Sequence, residues 1–430
     1  MKLTFLLGSG VSIPAGLPNV GEITKAVISG DGLIKRPAGQ PPDDKDDGLR
    51  RVAFLKWIEA ISASRYEEIC ERTTNYEDLA YVAGQIADDI RWEYENPAIH
   101  PLVEKATAEL SEIFQGATHS ERREQLACLA ISVVDYIRQV VTKMLSRTPT
   151  PDDLAYLQFF SAACRDPAVT SIDIFTLNHD TLLENFLRNE MEHDGIPVID
   201  GLRTIDCDGT RRWDHQVFDE PKIGSKSVKV FKLHGSVNWC EWESRFGPKN
   251  CKDLTDRSGC FIGHYGSEVP RGGLRHGARI LVGTFNKILK YQSGVFLELH
   301  HRFHRALENP ECKTLIVCGY GFSDKGVNTR IVEWRRRVME NRILIIDPSD
   351  SQNIYSKARG AIQCEIKGIL DQTESGGDPQ LDIIREKQQC GPVKHLKEGV
   401  GKRPDEKIKV VAWSDVKSRI SGTDSDFVAA

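Results

Sequence analysis

The chain has 430 residues, 40% hydrophobic and 28% charged, the composition of an ordinary folded protein, which excludes wholesale disorder. Its formal net charge of −5 argues against a chain that coats nucleic acid unaided. No apolar stretch reads as a membrane span, the N-terminal run is too brief for a signal peptide, and eleven cysteines without a C-x-x-C pair read as reduced cytoplasmic thiols.

The run Leu3 to Leu7 leads straight into Gly8, Ser9 and Gly10, then Ser12, Ala15, Gly16 and Pro18. Such a run before small residues predicts a buried strand ending in a tight turn. Gly8 and Gly10 let a backbone approach where a Cβ would collide. Successive exposed amides at such a turn make a phosphate cradle. The loop is not a P-loop, because no Gly-Lys-Ser/Thr follows, and Gly16 comes three residues late for the dinucleotide fingerprint.

A short helix is expected over Val20–Ile28, then an exposed loop rich in Pro, Gly and Asp over 30–48. Residues 49–165 carry apolar positions at three-to-four spacing, punctuated by Pro97, Pro101 and Thr148–Asp153, which predicts an inserted helical block. Strands are then expected over 172–176, Ser227–Leu233, 278–284 and Thr314–Gly321, and from Arg342. Alternating with helices, they predict a doubly wound, mainly parallel α/β sheet formed by 1–30 and 168–350. Residues 351–430 form an extension of unassigned role, with 378–389 read as a helix and 407–413 as a strand.

Ligands of such sheets bind beyond the carboxyl ends of the strands. Four polar motifs fall there: Gly8–Ser12, Thr176–Asp180, Leu233–Ser236 and Gly319–Asp324. Each also has a plain structural reading. Asn178 and Asp180 suit a helix start, as do Ser323 and Asp324, while His234 before Gly235 suits a turn. Asp347 reaches a ribose hydroxyl or simply ends its strand. Ordinary packing is the better reading of Phe285, Lys287 and Tyr291. Trp334–Arg337 and the Arg211–Arg212 pair are read as solvated basic surface.

Taken together and in order, the four motifs resemble the sirtuin superfamily, and most closely the sirtuin-like NAD-consuming proteins of bacterial anti-phage defence. The resemblance implies a Rossmann-like sheet whose loop residues Gly8, Ser9, Gly10, Ser12 and Ala15 hold NAD as substrate. It implies that Asn178 orients a water or ribose hydroxyl, that His234 is the catalytic base and that Asp180 holds the nicotinamide carboxamide. Ser323 and Asp324 would lie near the adenosine ribose, with Thr176, Gly319 and Asp347 completing the NAD site.

Deacylating sirtuins follow the His-Gly motif with two C-x-x-C pairs around zinc. Here Cys240, Cys251 and Cys260 are far apart, with His264 the only other obvious ligand, a spacing that fits no usual structural zinc site. Asn19, Val20 and Gly21 stand where deacylases carry Asp-Phe-Arg, and His179 replaces an apolar residue. The resemblance therefore implies an NAD glycohydrolase without a metal, working as a homo-oligomer with a HerA-type ATPase. The alternatives are a regulatory module that binds NAD or ADP-ribose without turnover, and an NAD-dependent deacylase or ADP-ribosyl transferase.

Overall fold

A computed structural model describes residues 1–30, 45–70, 73–91, 96–114, 118–146, 154, 156–204, 211–220, 226–243, 260–264, 274–276, 278–283, 285–338, 340–346, 358–360, 362–363, 381–384 and 413–421. The first strand is β1 (Lys2–Leu7). Helices α1 (Val20–Ser29), α2 (Lys45–Cys70), α3 (Tyr76–Arg91), α4 (His100–Glu109), α5 (His119–Leu145) and α6 (Gln158–Arg165) follow. Next come β2 (Ser171–Thr176), α7 (Leu182–Glu192), β3 (Val198–Ile199), β4 (Leu202–Thr204), β5 (Arg211–Trp213) and β6 (Val228–Lys232). Then come β7 (Cys240–Glu243), β8 (Cys260–His264), β9 (Leu274–His276), α8 (Phe285–Lys290), α9 (Gly294–Glu308) and β10 (Thr314–Cys318). The remainder is α10 (Lys325–Arg337), β11 (Arg342–Ile346), β12 (Leu381–Ile384) and a last helix over Trp413–Ser421.

Seven strands form one sheet in the order β12-β11-β10-β1-β2-β6-β3, with every pairing parallel. Helices cover it, and the fold is α/β and Rossmann-like. Alternation along each strand divides the side chains between two buried faces. Leu3, Phe5, Leu7, Ile172, Ile174, Val228 and Val230 share one core with Phe160 of α6 and Leu187 of α7. On the alternate positions Phe231 stacks on Phe175 at 4.5 Å between ring centroids, and Phe303 of α9 meets Phe175 edge-on at 4.9 Å.

The chain divides into two compact units. One comprises Met1–Leu17, Ser146–Arg279 and Gln292–Ala430 and contains the parallel sheet. The other comprises Pro18–Leu145 and Ile280–Tyr291 and is helical. Helix α1, grouped by sequence with the first strand, belongs to the helical unit. The Tyr136 hydroxyl donates to its Val27 carbonyl at 3.3 Å, and its Thr24 hydroxyl accepts from the Tyr76 amide at 3.0 Å. Helix α6, grouped with the helical block, instead packs on the sheet, with Phe160 5.3 Å from Phe5 between centroids.

Four expectations are corrected. Residues 278–283 form no strand; only Ile280 makes an isolated bridge, and Lys287 pairs with Glu77 at 2.7 Å inside the helical unit. Leu381–Ile384, read within a helix, is a strand beside β11, since a four-residue apolar run carries no decisive period. Trp413, expected to end a strand, begins a helix; residues 407–412 lie outside the described residues. Finally, α5 is long and apolar enough to cross a membrane by composition. Its Leu126, Ala130, Val133, Ile137 and Val141 are buried, which is the pattern of a core helix.

The sequence reading did not anticipate the second sheet, antiparallel in the order β4-β5-β8-β7-β9. Its strands are three to five residues long, too short for a period-two signal to stand out. Within it Cys240 pairs with Gly263 and Glu243 with Cys260, so the two cysteines sit at opposite ends of the ladder, roughly 10 Å apart. Cys251 lies outside the described residues.

Candidate active site at the carboxyl edge of the sheet

Strand register brings the four motifs to one edge. Leu7 pairs with Cys318 on one side and Thr176 on the other, and Thr176 pairs with Lys232. Gly8 and Gly319 therefore each follow a paired position by one residue, and Asn178 and His234 each follow one by two. Neighbouring strands lie about 4.8 Å apart, so Asn178 and His234 emerge side by side. The ladder runs slightly past the strands, with the Leu177 amide donating to Leu7 and the Leu233 amide to Thr176.

The glycines of the first and last motifs interlock. The Gly8 amide donates to the Cys318 carbonyl at 3.0 Å and the Gly10 amide to Gly319 at 2.9 Å. A Cβ on Gly8 would lie 2.6 Å from the Gly319 oxygen, and one on Gly10 2.7 Å from the Gly319 Cα. Gly319 itself has φ 57, and its Cβ would meet the Gly10 carbonyl carbon and Val11 nitrogen at 2.6 Å. The close approach expected of Gly8 and Gly10 is thus to a neighbouring loop of the same chain. The Val11 and Ser12 amides also donate to backbone, to Gly8 and Ser9. Four amides of the expected cradle are therefore turned inward, and Ser9 is the exposed member of the loop. Ala15 is buried in the turn that follows, its amide on the Ser12 carbonyl.

Asn178 has a defined amide orientation. Its side-chain nitrogen lies 2.9 Å from the Gly8 carbonyl oxygen and 2.9 Å from the Ser12 hydroxyl. A carbonyl only accepts, so Nδ2 must face it, and Oδ1 is the atom turned away. Ser12 passes the chain of donors on, its hydroxyl donating to Asp180 Oδ2 at 2.8 Å. The other Asp180 oxygen accepts from the Leu182 amide at 3.0 Å, so this carboxylate starts α7 and anchors Ser12. The Thr176 hydroxyl accepts from the Asn178 amide at 3.1 Å.

Lys232 passed unnoticed in the sequence reading. Its ammonium donates to the Asp180 carbonyl and pairs with Glu184 at 2.8 Å, with side-chain exposures of 2% and 8%. A buried cation in this position ties the end of β6 to the start of α7. The only signal for it was its place on the far side of Phe231 from the buried Val230, at the last position of β6.

His234 is buried and its Nε2 lies 3.0 Å from Asp324 Oδ2. Asp324 also caps α10, its Oδ1 accepting from the Val327 amide at 3.0 Å. The capping reading of Asp324 and a contact with His234 are therefore both present in one side chain. Ser323 beside it is exposed. The His179 ring stands 6.1 Å from the His234 ring between centroids. His300 of α9 is a further neighbour. Burial pushes its imidazole down to about 3, with the His234 charge acting in the same direction and Asp324 and the Leu233 carbonyl opposing.

Asp347 lies outside the described residues, as do Thr284 and the side chain of Phe285. Tyr291 is buried. Arg211 is no free basic spot, since both ends of its guanidinium bind Asp200, at 2.9 and 2.5 Å. Among the described residues no three His, Cys, Asp or Glu side chains are arranged to hold a metal ion.

The model of the SIR2-like domain matches residues 173–369, the stretch that contains Asn178, His234 and Asp324. This part of the chain is similar to the SIR2-like domain, a likeness that fits an NAD-related activity. No curated protein matches the chain.

Proposed function

We propose that the protein is an NAD glycohydrolase, cleaving NAD to nicotinamide and ADP-ribose. One observation carries this reading. Asn178, with its amide locked, and His234, with Nε2 on a carboxylate, leave adjacent parallel strands at the same level. In the proposed reaction the bonding pair of the nicotinamide–ribose bond moves to the pyridinium nitrogen, and nicotinamide leaves neutral. Asn178 Oδ1 accepts from the attacking water or a ribose hydroxyl and so fixes its approach. His234 takes the proton that the water loses as its oxygen bonds to the anomeric carbon, then returns it to solvent. NAD and water thus give nicotinamide, ADP-ribose and a proton.

The test is incubation with NAD, alone and with a HerA-type ATPase, followed by measurement of free nicotinamide and ADP-ribose. Asn178→Ala and His234→Ala should abolish release while the far-ultraviolet circular dichroism stays that of the wild type. Retained NAD binding with no release under every condition would overturn the hydrolase in favour of a regulatory binding module. Release only when an acylated peptide is added would favour a deacylase.

The wider proposal is that the chain is the toxic effector of an anti-phage system, an oligomer held in check by its partner. Its support is the resemblance of the four motifs to sirtuin-like defence proteins. Mass measurement in solution, with and without the ATPase, tests the assembly directly.

A further inference from the structure

We propose that Asp324 is the positioning residue of His234, selecting its tautomer and stabilising the imidazolium that forms when it accepts a proton. This rests on His234 being the base of the proposed hydrolysis. The two groups come from distant parts of the sheet. His234 follows β6 and Asp324 follows β10, with β1 and β2 lying between those strands. A separation of three strand spacings, about 14 Å, is closed by the loop after β10, which brings the carboxylate to 3.0 Å from Nε2.

That loop is held in an unfavourable shape. Phe322 has φ 52, the left-handed region that a bulky residue rarely occupies, and it is fully buried. Such a conformation persists only where the surroundings over-determine it. Asn328 supplies the restraint. Its Nδ2 donates to the Phe322 carbonyl at 2.7 Å and the Arg359 carbonyl at 2.8 Å, and its Oδ1 accepts from the Tyr320 hydroxyl at 2.9 Å. The Tyr320 oxygen in turn accepts from the Asp324 amide at 3.1 Å. Backbone, cap and carboxylate are all fixed before any ligand arrives.

A carboxylate accepts only, so the proton of neutral His234 sits on Nε2 and the basic lone pair on Nδ1. Side-chain exposures of 5% and 10% keep the pair largely out of water, so the carboxylate charge acts on the imidazole with little solvent screening. Among the described residues, His179 from the loop after β2 and His300 from α9 stand near it, and Arg330 from α10 acts on His300. His300 stays neutral through burial, so it adds no competing positive charge near neutral pH.

The experiment is Asp324→Asn, which removes the charge and keeps a good cap for α10. Two readouts are taken. By imidazole NMR, with His234→Gln assigning the signal, the His234 pKa should fall by more than one unit in the variant. In the NAD assay kcat should fall about 10²–10³-fold with KM nearly unchanged. The acid limb of its pH profile should also move to lower pH, because the base is then deprotonated more easily. An unchanged His234 pKa, or wild-type kcat, overturns the proposal. If Asp324→Asn does not fold, Asp324→Ser, which also caps, is read in the same way. Full NAD turnover by His234→Gln would instead sink His234 as the base, and absence of nicotinamide release by the wild type would sink the hydrolytic reading, whatever the NMR titration shows.

Discussion

The Ser12 hydroxyl accepts from Asn178 Nδ2 at 2.9 Å while donating to the Asp180 carboxylate at 2.8 Å, joining the first motif to the second across 166 residues of sequence. Ser12 thus acts on Asn178 as well as bordering the glycine loop. Ser12→Ala should lower stability by about 1–3 kcal/mol, because it leaves buried polar atoms without partners. It should lower NAD turnover by about tenfold as the Asn178 amide, held then by the Gly8 carbonyl alone, loses one of its two restraints. Ser12→Thr, keeping the hydroxyl, should retain most of both. Urea denaturation and nicotinamide release measure the two effects separately.

Gly319 is expected to tolerate no side chain. Gly319→Ala adds a Cβ 2.6 Å from backbone atoms of Gly10 and Val11 at a residue with φ 57. Left-handed backbone and overpacking together cost about 2–4 kcal/mol. A drop in unfolding free energy of that size, read by urea denaturation, is the expected result, and unchanged stability would show that the two loops do not interlock as described.

Lys232→Ala tests the buried pair beneath the site. It leaves the Glu184 carboxylate 8% exposed and without its cation. Removing one partner of a buried pair destabilises by about 3–5 kcal/mol. The double variant Lys232→Met, Glu184→Leu should recover much of that loss, which a double-mutant cycle reads directly.

His300 should make stability depend on pH. Its folded value, near 3, lies below the ordinary histidine value of 6.5. Between these values the unfolded chain binds a proton that the folded protein refuses. Its contribution is therefore fully present above about pH 6.5 and falls as the pH drops towards 3, by about 1.4 kcal/mol per pH unit. Urea midpoints measured between pH 7 and 5 should show this slope in the wild type and a shallower one in His300→Gln.

Much of the parallel sheet was legible in the residues, because β1, β2, β6, β10 and β11 are short segments rich in Leu, Ile, Val and Phe, closely followed by glycine or polar residues. What failed was local in scale. The antiparallel sheet is built of strands too short to show a period, and Leu381–Ile384 is equally short. The stretch 278–284 carried a strand-like composition, yet among its described residues only Ile280 makes a bridge, and the helical unit begins at that residue. Propensity there yields to tertiary packing.

The sequence by itself determined the fold class and the gathering of four polar motifs at the strand ends, since hydrophobic period and chain punctuation are local properties. It also supplied Asn178 and His234 as candidates. Only the tertiary structure decided what each polar atom touches. Ser12 orients Asn178, Gly8 and Gly10 serve a loop-to-loop contact, and Asp324 faces His234 from three strands away. Those relations depend on strand register and loop path, which set distances between residues far apart in the chain and leave no periodic trace along it.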